Sequence, residues 1–91
     1  MFKIVTTSFF LRRLRKFLKK HPELREHFTQ VVDGLIADPF NPRLKYHQLS
    51  GKLQGIQAVS ISDSYRLVLT VIISGQEIIL LDIGSHDEVY R

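Results

Sequence analysis

Hydrophobic positions in the first part of the chain recur with the period of a helix. Residues 2–5 alternate as a short opening strand does, and the hydroxyl side chains at 6–8 are suited to capping a helix. Apolar residues then recur at spacings of three and four, with cations filling most positions between them. The apolar set is Phe10, Leu11, Leu14, Phe17 and Leu18. The pattern predicts an amphipathic helix with a basic outer face.

A second helix is predicted directly after the first. His21-Pro22 interrupts the first helix, and Pro22 suits the first turn of the next because its missing N–H would have no partner there. The helical period continues over residues 24–36 and stops at Asp38-Pro39. Two prolines within residues 38–43 predict a loop. The two helices therefore form a hairpin.

The rest of the chain has the period of a sheet. Residues 44–49 form an extended segment, and strands are predicted over 56–61, 65–73 and 77–83, with turns between them. The nearly continuous apolar run of 65–73 predicts a central strand. The order β-α-α-β-β-β predicts an α+β fold in which a small antiparallel β-sheet carries two N-terminal helices on one face. We expect one domain over residues 1–91 and a site on the open face, beside the tail after Ile83.

Composition limits the class of protein. The 91 residues suffice for one small domain, and 44% hydrophobic with 24% charged residues is typical of globular proteins. The absence of cysteine excludes disulfides and thiolate metal sites. No apolar run approaches the roughly 20 residues that span a bilayer. We expect a cytoplasmic protein with no membrane partner and no cofactor.

The net charge of +4 is unevenly distributed. Residues 1–45 carry ten Lys and Arg against four Asp and Glu, whereas residues 46–91 carry three against five. The basic half could bind a polyanion or an acidic protein, or its cations could form a solvated face. A helix lying on a membrane surface is less favoured, because the apolar face is needed to cover the sheet.

Two of the four histidines are candidates for chemistry. His21 and His27 lie at a helix junction and on a helix, where capping or surface roles are the ordinary expectation. His47 and His86 lie at the edges of predicted strands beside basic or aromatic residues. Two histidines do not supply the three or four converging ligands of a metal site, so no metal is predicted.

An arginine also stands out, near the start of the predicted central strand. Arg66 must reach water, a carboxylate or a ligand, because an unpaired buried guanidinium is costly. An ion pair with Asp63 or Asp82 is the structural alternative.

The segment "HQLSGKLQGIQAVSISDSYRLVLTV" and the closing "IILLDIGSHDEVY", behind two helices and a strand, resemble the RelE/ParE superfamily of type II toxin–antitoxin toxins. The His-x-Leu-x-Gly segment and the Gly-x-His-x-x-x-aromatic ending are most similar to the YafQ and RelE messenger-RNA interferases. This resemblance implies ribosome-dependent cleavage of messenger RNA in the decoding site, next to ribosomal RNA. It also implies growth arrest, neutralisation by a cognate antitoxin, and binding to operator DNA only through that antitoxin.

The resemblance carries over to individual residues. It implies the catalytic residues His47, Arg66, His86 and Tyr90. Lys45 and Lys52 lie where members have basic residues that meet the RNA backbone, and the basic helix adds Arg12, Arg13 and Lys16. The sequence departs from the YafQ pattern where it has Ser64 in place of an acidic residue and Ser60 in place of a histidine.

The expected chemistry needs a base, a cation and an acid. RNA cleavage without a metal turns the neighbouring 2′-OH into a nucleophile, supports charge on the phosphate and protonates the departing 5′-oxygen. Histidine titrates nearest neutral pH, so we assign His47 as base and His86 as acid, with the reverse order also open. Arg66 suits the phosphate charge, and Tyr90 could stack on a base or orient the phosphate.

Two other functions remain open. A ParE-like toxin shares the fold but inhibits DNA gyrase without nuclease activity, and it would need neither His47 nor His86 near a phosphate. A non-catalytic or decayed module that only binds its antitoxin is the other alternative, which the substitutions at Ser60 and Ser64 keep open. The presence of both histidines with Arg66 and Tyr90 favours the nuclease.

Overall fold

The computed structural model describes residues 1–49 and 51–90, without the side chains of His47 and Lys52. The strands are β1 (Lys3–Val5), β2 (His47–Gln48), β3 (Gln57–Ser60), β4 (Tyr65–Ile72) and β5 (Glu77–Ser85). The α-helices are α1 (Ser8–Lys20), α2 (Arg25–Ala37) and α3 (His86–Val89), and short 3₁₀ turns cover Pro22–Leu24, Pro42–Leu44 and Gly51–Leu53. The predicted α+β class with two N-terminal helices is confirmed.

The sheet has the order β1-β5-β4-β3-β2, which makes β4 the central strand as predicted. Neighbouring strands are antiparallel except for β1, which lies parallel to β5 with Lys3 opposite Glu77. The sheet is therefore mixed, where the sequence predicted an antiparallel one. Parallel neighbours need a long connection, and the chain between β1 and β5 contains both long helices and three strands.

Helix α1 begins where the sequence predicted. The side chain of Thr7 accepts a hydrogen bond from the backbone N–H of Phe10 at 3.1 Å, and Lys19 and Lys20 complete the last turn, where the helix dipole favours cations. Phe10 and Phe17 are buried in the core. Leu11, which the sequence placed on the apolar stripe, is exposed instead because the buried stripe is narrower than the pattern suggests.

The connection to α2 is longer than predicted. Pro22 begins a separate 3₁₀ turn, and α2 itself begins at Arg25 and ends before Asp38. Val31 and Leu35 of α2 are buried in the same core as the apolar residues of α1 and the sheet. The sheet contributes Val59, Ile61, Leu67, Leu69, Ile78, Leu80 and Ile83 to this core.

Alternation along β4 separates the two faces of the sheet. Leu67 and Leu69 belong to the core cluster, whereas Arg66 and Thr70 take the alternate positions and are partly exposed. The predicted extended segment 44–49 contains only a two-residue strand, preceded by the Pro42–Leu44 turn.

Within the described residues, no helix is long and apolar enough to cross a membrane.

Candidate functional site

Arg66 lies near the start of β4, opposite Ser60 of β3 and Gly84 of β5. Its Nη1 atom donates to the carbonyl oxygens of Ser62 at 2.8 Å and Tyr65 at 3.1 Å, so the turn between β3 and β4 fixes the guanidinium. The alternative predicted from the sequence was an ion pair with a nearby aspartate. Among the described residues no carboxylate lies within ion-pair distance of Arg66.

The tail after β5 forms a short helix that the sequence did not predict. Ser85 Oγ accepts from the backbone N–H of Glu88 at 3.3 Å, and Glu88 Oε1 accepts from the backbone N–H of Ser85 at 2.9 Å. This is a capping box, and its signal in the sequence is Ser85 three residues before Glu88. The hydrogen bonds from Ser85 lower the pKa of Glu88, with smaller contributions from the charges of Arg13 and Lys20. The capping box begins α3 immediately after β5.

Helix α3 brings two predicted site residues into contact. The rings of His86 and Tyr90 are 4.3 Å apart and perpendicular. Burial raises the pKa of Tyr90, and the nearby positive charge of Arg66 partly offsets that effect. The Tyr90 hydroxyl is buried and has no hydrogen-bond partner among the described residues. Arg66, His86 and Tyr90 therefore form one cluster, which we call the arginine cluster.

The fourth predicted catalytic residue is placed only by its backbone. His47 pairs with Ala58 in the β2–β3 ladder, two residues along β3 from Ser60, the partner of Arg66. Standard strand spacing then puts the Cα atoms of His47 and Arg66 roughly 12 Å apart. The side chains of His47 and Lys52 lie outside the part of the chain that the structure describes, so their roles stay predictions. Lys45 is exposed and has a left-handed backbone, with φ of 53°.

The predicted RNA-binding residues of α1 have unlike surroundings. Arg12 and Lys16 are exposed. Arg13 instead donates from Nε to Asp82 Oδ1 at 2.7 Å and from Nη2 to the carbonyl of Ile83 at 3.4 Å. These bonds fix α1 to β5 beyond the last residue that pairs with β1. No local sequence pattern indicates these bonds, because Arg13 and Asp82 are 69 residues apart.

A cleft of about 340 Å³ opens between α1 and α3 at the end of the sheet. Lys16, Lys20 and Arg13 contribute cations to it, and Glu88 contributes a carboxylate. We call it the basic cleft. No sequence pattern predicts this site, because its lining comes from α1, β4, β5 and α3.

His21 lines the basic cleft, although its sequence position indicated only a capping or surface role. Its ring centroid is 4.6 Å from that of Tyr65 and 5.0 Å from that of Phe17, and its Nδ1 atom is 3.5 Å from a carboxylate oxygen of Glu23. The position of His21 four residues after Phe17 could have indicated this location, because residues four apart lie on the same face of a helix.

The comparisons with known proteins identify the family. The family model for YafQ, the bacterial toxin of type II toxin–antitoxin systems, matches residues 2–91. The chain belongs to this family. The resemblance of the sequence to RelE/ParE toxins is thereby confirmed. No curated protein matches the chain at a significant level.

Solved structures of toxins share the fold over almost the whole chain. A metal-bound toxin from Helicobacter pylori is 27% identical, with a TM-score of 0.82, over 98% of this chain and 99% of that one. YafQ from Escherichia coli has a TM-score of 0.82 at 14% identity, and the match covers all of both chains. The RelBE2 toxin–antitoxin complex from Mycobacterium tuberculosis has a TM-score of 0.74 at 17% identity, over 93% of this chain and 98% of that one.

The arginine cluster differs in composition from a metal site. The Helicobacter pylori toxin was solved with a metal bound. In this chain, the described residues include no group of three or more His, Cys, Asp or Glu side chains that could hold a metal ion. The cluster instead combines a fixed guanidinium, an exposed imidazole and a buried phenol. These groups can bind a phosphate and transfer protons.

Proposed function

We propose that this YafQ-family toxin is an endoribonuclease that cleaves messenger RNA on the ribosome. The observation that carries the proposal is the buried Tyr90 hydroxyl without a protein partner among the described residues, close to Arg66 and His86. Buried polar groups nearly always have partners, and the exceptions call for an explanation. A phosphate oxygen of the substrate would supply the missing partner after a small shift of α3, which has no buried residue of its own.

The proposed reaction is attack of a 2′-OH on the adjacent phosphorus. The 2′-oxygen forms the new bond to phosphorus as its proton passes to a base, and the bond to the 5′-oxygen breaks as an acid supplies a proton. The products are a 2′,3′-cyclic phosphate and a free 5′-OH. We assign His86 as the acid and His47 as the base, because imidazole can both accept and donate protons near neutral pH.

Arg66 and Tyr90 would act on the phosphate itself. Arg66 keeps its charge at every physiological pH, and the bonds to the turn carbonyls hold it in one orientation before substrate arrives. The raised pKa of Tyr90 keeps its hydroxyl protonated, so that it can donate a hydrogen bond to a phosphate oxygen. Both groups would stabilise the charge that develops in the transition state. None of these steps requires a metal ion or a cofactor.

The proposed partners are a cognate antitoxin and the ribosome. Similarity to the RelBE2 toxin–antitoxin complex supports an antitoxin that covers this chain. The exposed cations of α1 support contact with ribosomal RNA around the decoding site, because clustered Lys and Arg bind phosphate backbones. Operator DNA would be bound through the antitoxin, and the site of action would be the cytoplasm.

The two positions at which the sequence departs from the YafQ pattern, Ser60 and Ser64, lie beside or within the turn that holds Arg66. Ser60 lies opposite Arg66, and its Oγ atom donates to the Ser62 carbonyl at 2.9 Å, the same carbonyl that Arg66 contacts. Ser60 therefore supports the turn that holds Arg66. Ser64 is exposed in that turn. A gyrase inhibitor or a decayed module would not require the unpartnered Tyr90 hydroxyl beside Arg66, so the nuclease is favoured.

The test is primer-extension mapping of messenger RNA in a purified translation system. We expect the native toxin to produce cuts only when ribosomes are present, and His86→Ala and Arg66→Ala to reduce cutting by about 10²-fold or more. His27→Ala and Arg25→Ala are matched controls, since both residues are exposed on α2 and absent from the cluster. Circular dichroism would check that all four variants fold.

The other outcomes separate the alternatives. Growth arrest without cleavage by the native protein would contradict the nuclease and favour gyrase inhibition, which a supercoiling assay would detect. Neither cleavage nor arrest would favour a decayed antitoxin-binding module. Full activity of both cluster variants would remove Arg66 and His86 from the mechanism.

A further inference from the structure

The basic cleft and the arginine cluster meet at the end of β5. Gly84 and Ser85 line the cleft, and Gly84 is also the residue that pairs with Arg66 across the sheet. We infer that the basic cleft is a second RNA subsite, which holds a phosphate that flanks the one bound at Arg66. The inference rests on the proposed function and extends it to the binding of flanking nucleotides.

Charge in the cleft favours an anion. Lys16 and Lys20 are exposed cations at its wall, one turn apart on α1. Lysine binds phosphate as a point charge without a demanding geometry. The one acidic lining residue, Glu88, already accepts the Ser85 N–H in the capping box, and Arg13 is paired with Asp82. Two lysines against one carboxylate therefore leave the cleft with a net positive charge.

A glycine stands where β5, α1 and α3 meet at the cleft. A methyl group built on Gly84 would lie 3.1 Å from Glu88 Oε1 and 3.4 Å from Arg13 Nη2. Glycine therefore allows β5, α1 and α3 to meet closely at this point. Because Gly84 also pairs with Arg66, we expect an RNA strand bound at Arg66 to reach the lysines around the start of α3.

Aromatic side chains give the cleft a surface suited to nucleotides. His21 and Tyr65 line it with ring centroids 4.6 Å apart, and Phe17 lies behind them in the core. Bases of single-stranded RNA commonly stack on such rings, and the contact tolerates different bases. A nucleotide would use both features, because its phosphate binds the cations and its base stacks on the rings. The carboxylates of an acidic peptide would need only the cations, so the cleft fits a nucleotide better.

The test measures how salt affects binding of a short RNA to the free toxin. The probe is a single-stranded hexanucleotide with a 2′-O-methyl group on every sugar, so that no 2′-OH can attack and the RNA stays intact. We expect Lys16→Ala/Lys20→Ala to weaken binding severalfold and to reduce the slope of log affinity against log salt by about 0.7, the release expected for one phosphate of a single strand. RNA should also shift the NMR signals of the His21 ring.

The matched control removes the same charge from the same helix outside the cleft. Arg15→Ala/Lys19→Ala changes two exposed residues of α1 that do not line it. We expect this variant to keep the local contact, so that the His21 shift persists and the slope falls by less than in the cleft variant. Equal loss in both variants, or an unmoved His21 signal, would show that the cleft is not a subsite.

Two further measurements identify the ligand. Binding to ribosomes with and without messenger RNA in the decoding site distinguishes messenger RNA from ribosomal RNA as the ligand. If the cleft binds ribosomal RNA, binding to both kinds of ribosome would require the two lysines. Binding of polyglutamate, but not of RNA, in a manner that depends on Lys16 and Lys20 would overturn the inference in favour of an acidic peptide. The result is separable from catalysis: RNA binding with the expected slope would stand even where primer extension detects no cleavage.

Discussion

The Tyr90 hydroxyl is a polar group that is buried where the protein gives it no partner among the described residues. An unsatisfied buried hydroxyl destabilises a fold unless a ligand satisfies it. Arg66 close by is held in place by carbonyl oxygens of the turn, so its charge also stays at that position. Both features are typical of a site in which stability is sacrificed for binding.

Replacing Tyr90 with phenylalanine separates stability from activity. Because the lost hydroxyl has no protein partner among the described residues, we expect Tyr90→Phe to leave the free energy of unfolding unchanged or to raise it by about 1 kcal/mol. Cleavage should fall, because the phosphate loses a hydrogen-bond donor. Urea unfolding and primer extension would measure the two effects.

Tyr46→Phe is the matched control for this prediction. Tyr46 is likewise partly buried, with a pKa raised by burial, and its ring packs edge-on against Phe40. Because Tyr46 directly precedes the proposed base His47, it is a control for stability alone, and we expect Tyr46→Phe not to raise the free energy of unfolding. A large loss of stability in Tyr90→Phe would mean that the hydroxyl has a protein partner after all.

At the scale of elements, the capping box of α3 holds His86 and Tyr90 in place. The helix has four residues and no buried residue of its own. Isolated helices this short are not stable in water, so caps and side-chain contacts must maintain it. The state of Glu88 therefore affects the arrangement of the arginine cluster.

Acidification should loosen α3 before it unfolds the domain. The pKa of Glu88 is lower in the folded protein than in the unfolded chain, so the charged cap is stabilising above the unfolded pKa, and that stabilisation is lost as the pH falls through the folded pKa. We expect the amide signals of Ser85 and Glu88 to shift together across this pH window in NMR spectra, ahead of global unfolding.

Glu88→Gln provides the comparison, because its side-chain oxygen can still accept the Ser85 hydrogen bond while its charge is gone. Its α3 signals should not change over the same acidic window. Asp87→Asn is the control for charge alone, since the Asp87 carboxylate is fully exposed and takes no part in the capping box. An identical titration in the native protein and in Glu88→Gln would contradict the assignment.

At the scale of the whole molecule, one ion pair links the basic helix to the far end of the sheet. Arg13 and Asp82 are joined at 2.7 Å, and both side chains are partly buried. The same arginine reaches the carbonyl of Ile83, just before Gly84, which lines the basic cleft and pairs with Arg66 across the sheet. The pair therefore fixes α1 to β5 beside both sites.

A double-mutant cycle should reveal this link. We expect Arg13→Ala and Asp82→Ala each to destabilise the domain, with a coupling energy of about 1 kcal/mol, because the pair is only partly shielded from water. Urea unfolding of the native, single and double variants measures it. Arg12→Ala and Asp33→Ala, which change exposed residues that form no ion pair among the described residues, should be additive.

The sequence by itself determined the elements and the composition of the arginine cluster. Periodicity is local, so it predicted α1, α2 and the three long strands, and the capping signal at Thr7 predicted where α1 begins. Residue chemistry likewise selected Arg66 and His86, and the family resemblance added Tyr90. The three-residue spacing of Ser85 and Glu88 is likewise a local capping signal, and it indicates the start of α3.

Only the tertiary structure decided how these elements meet. The parallel pairing of β1 with β5, the bond from Arg13 to Asp82 and the basic cleft each join residues far apart in the chain. Such contacts depend on which faces and edges the packed elements bring together, and no local spacing encodes them. The same packing placed His21 beside Tyr65 and buried the Tyr90 hydroxyl close to Arg66.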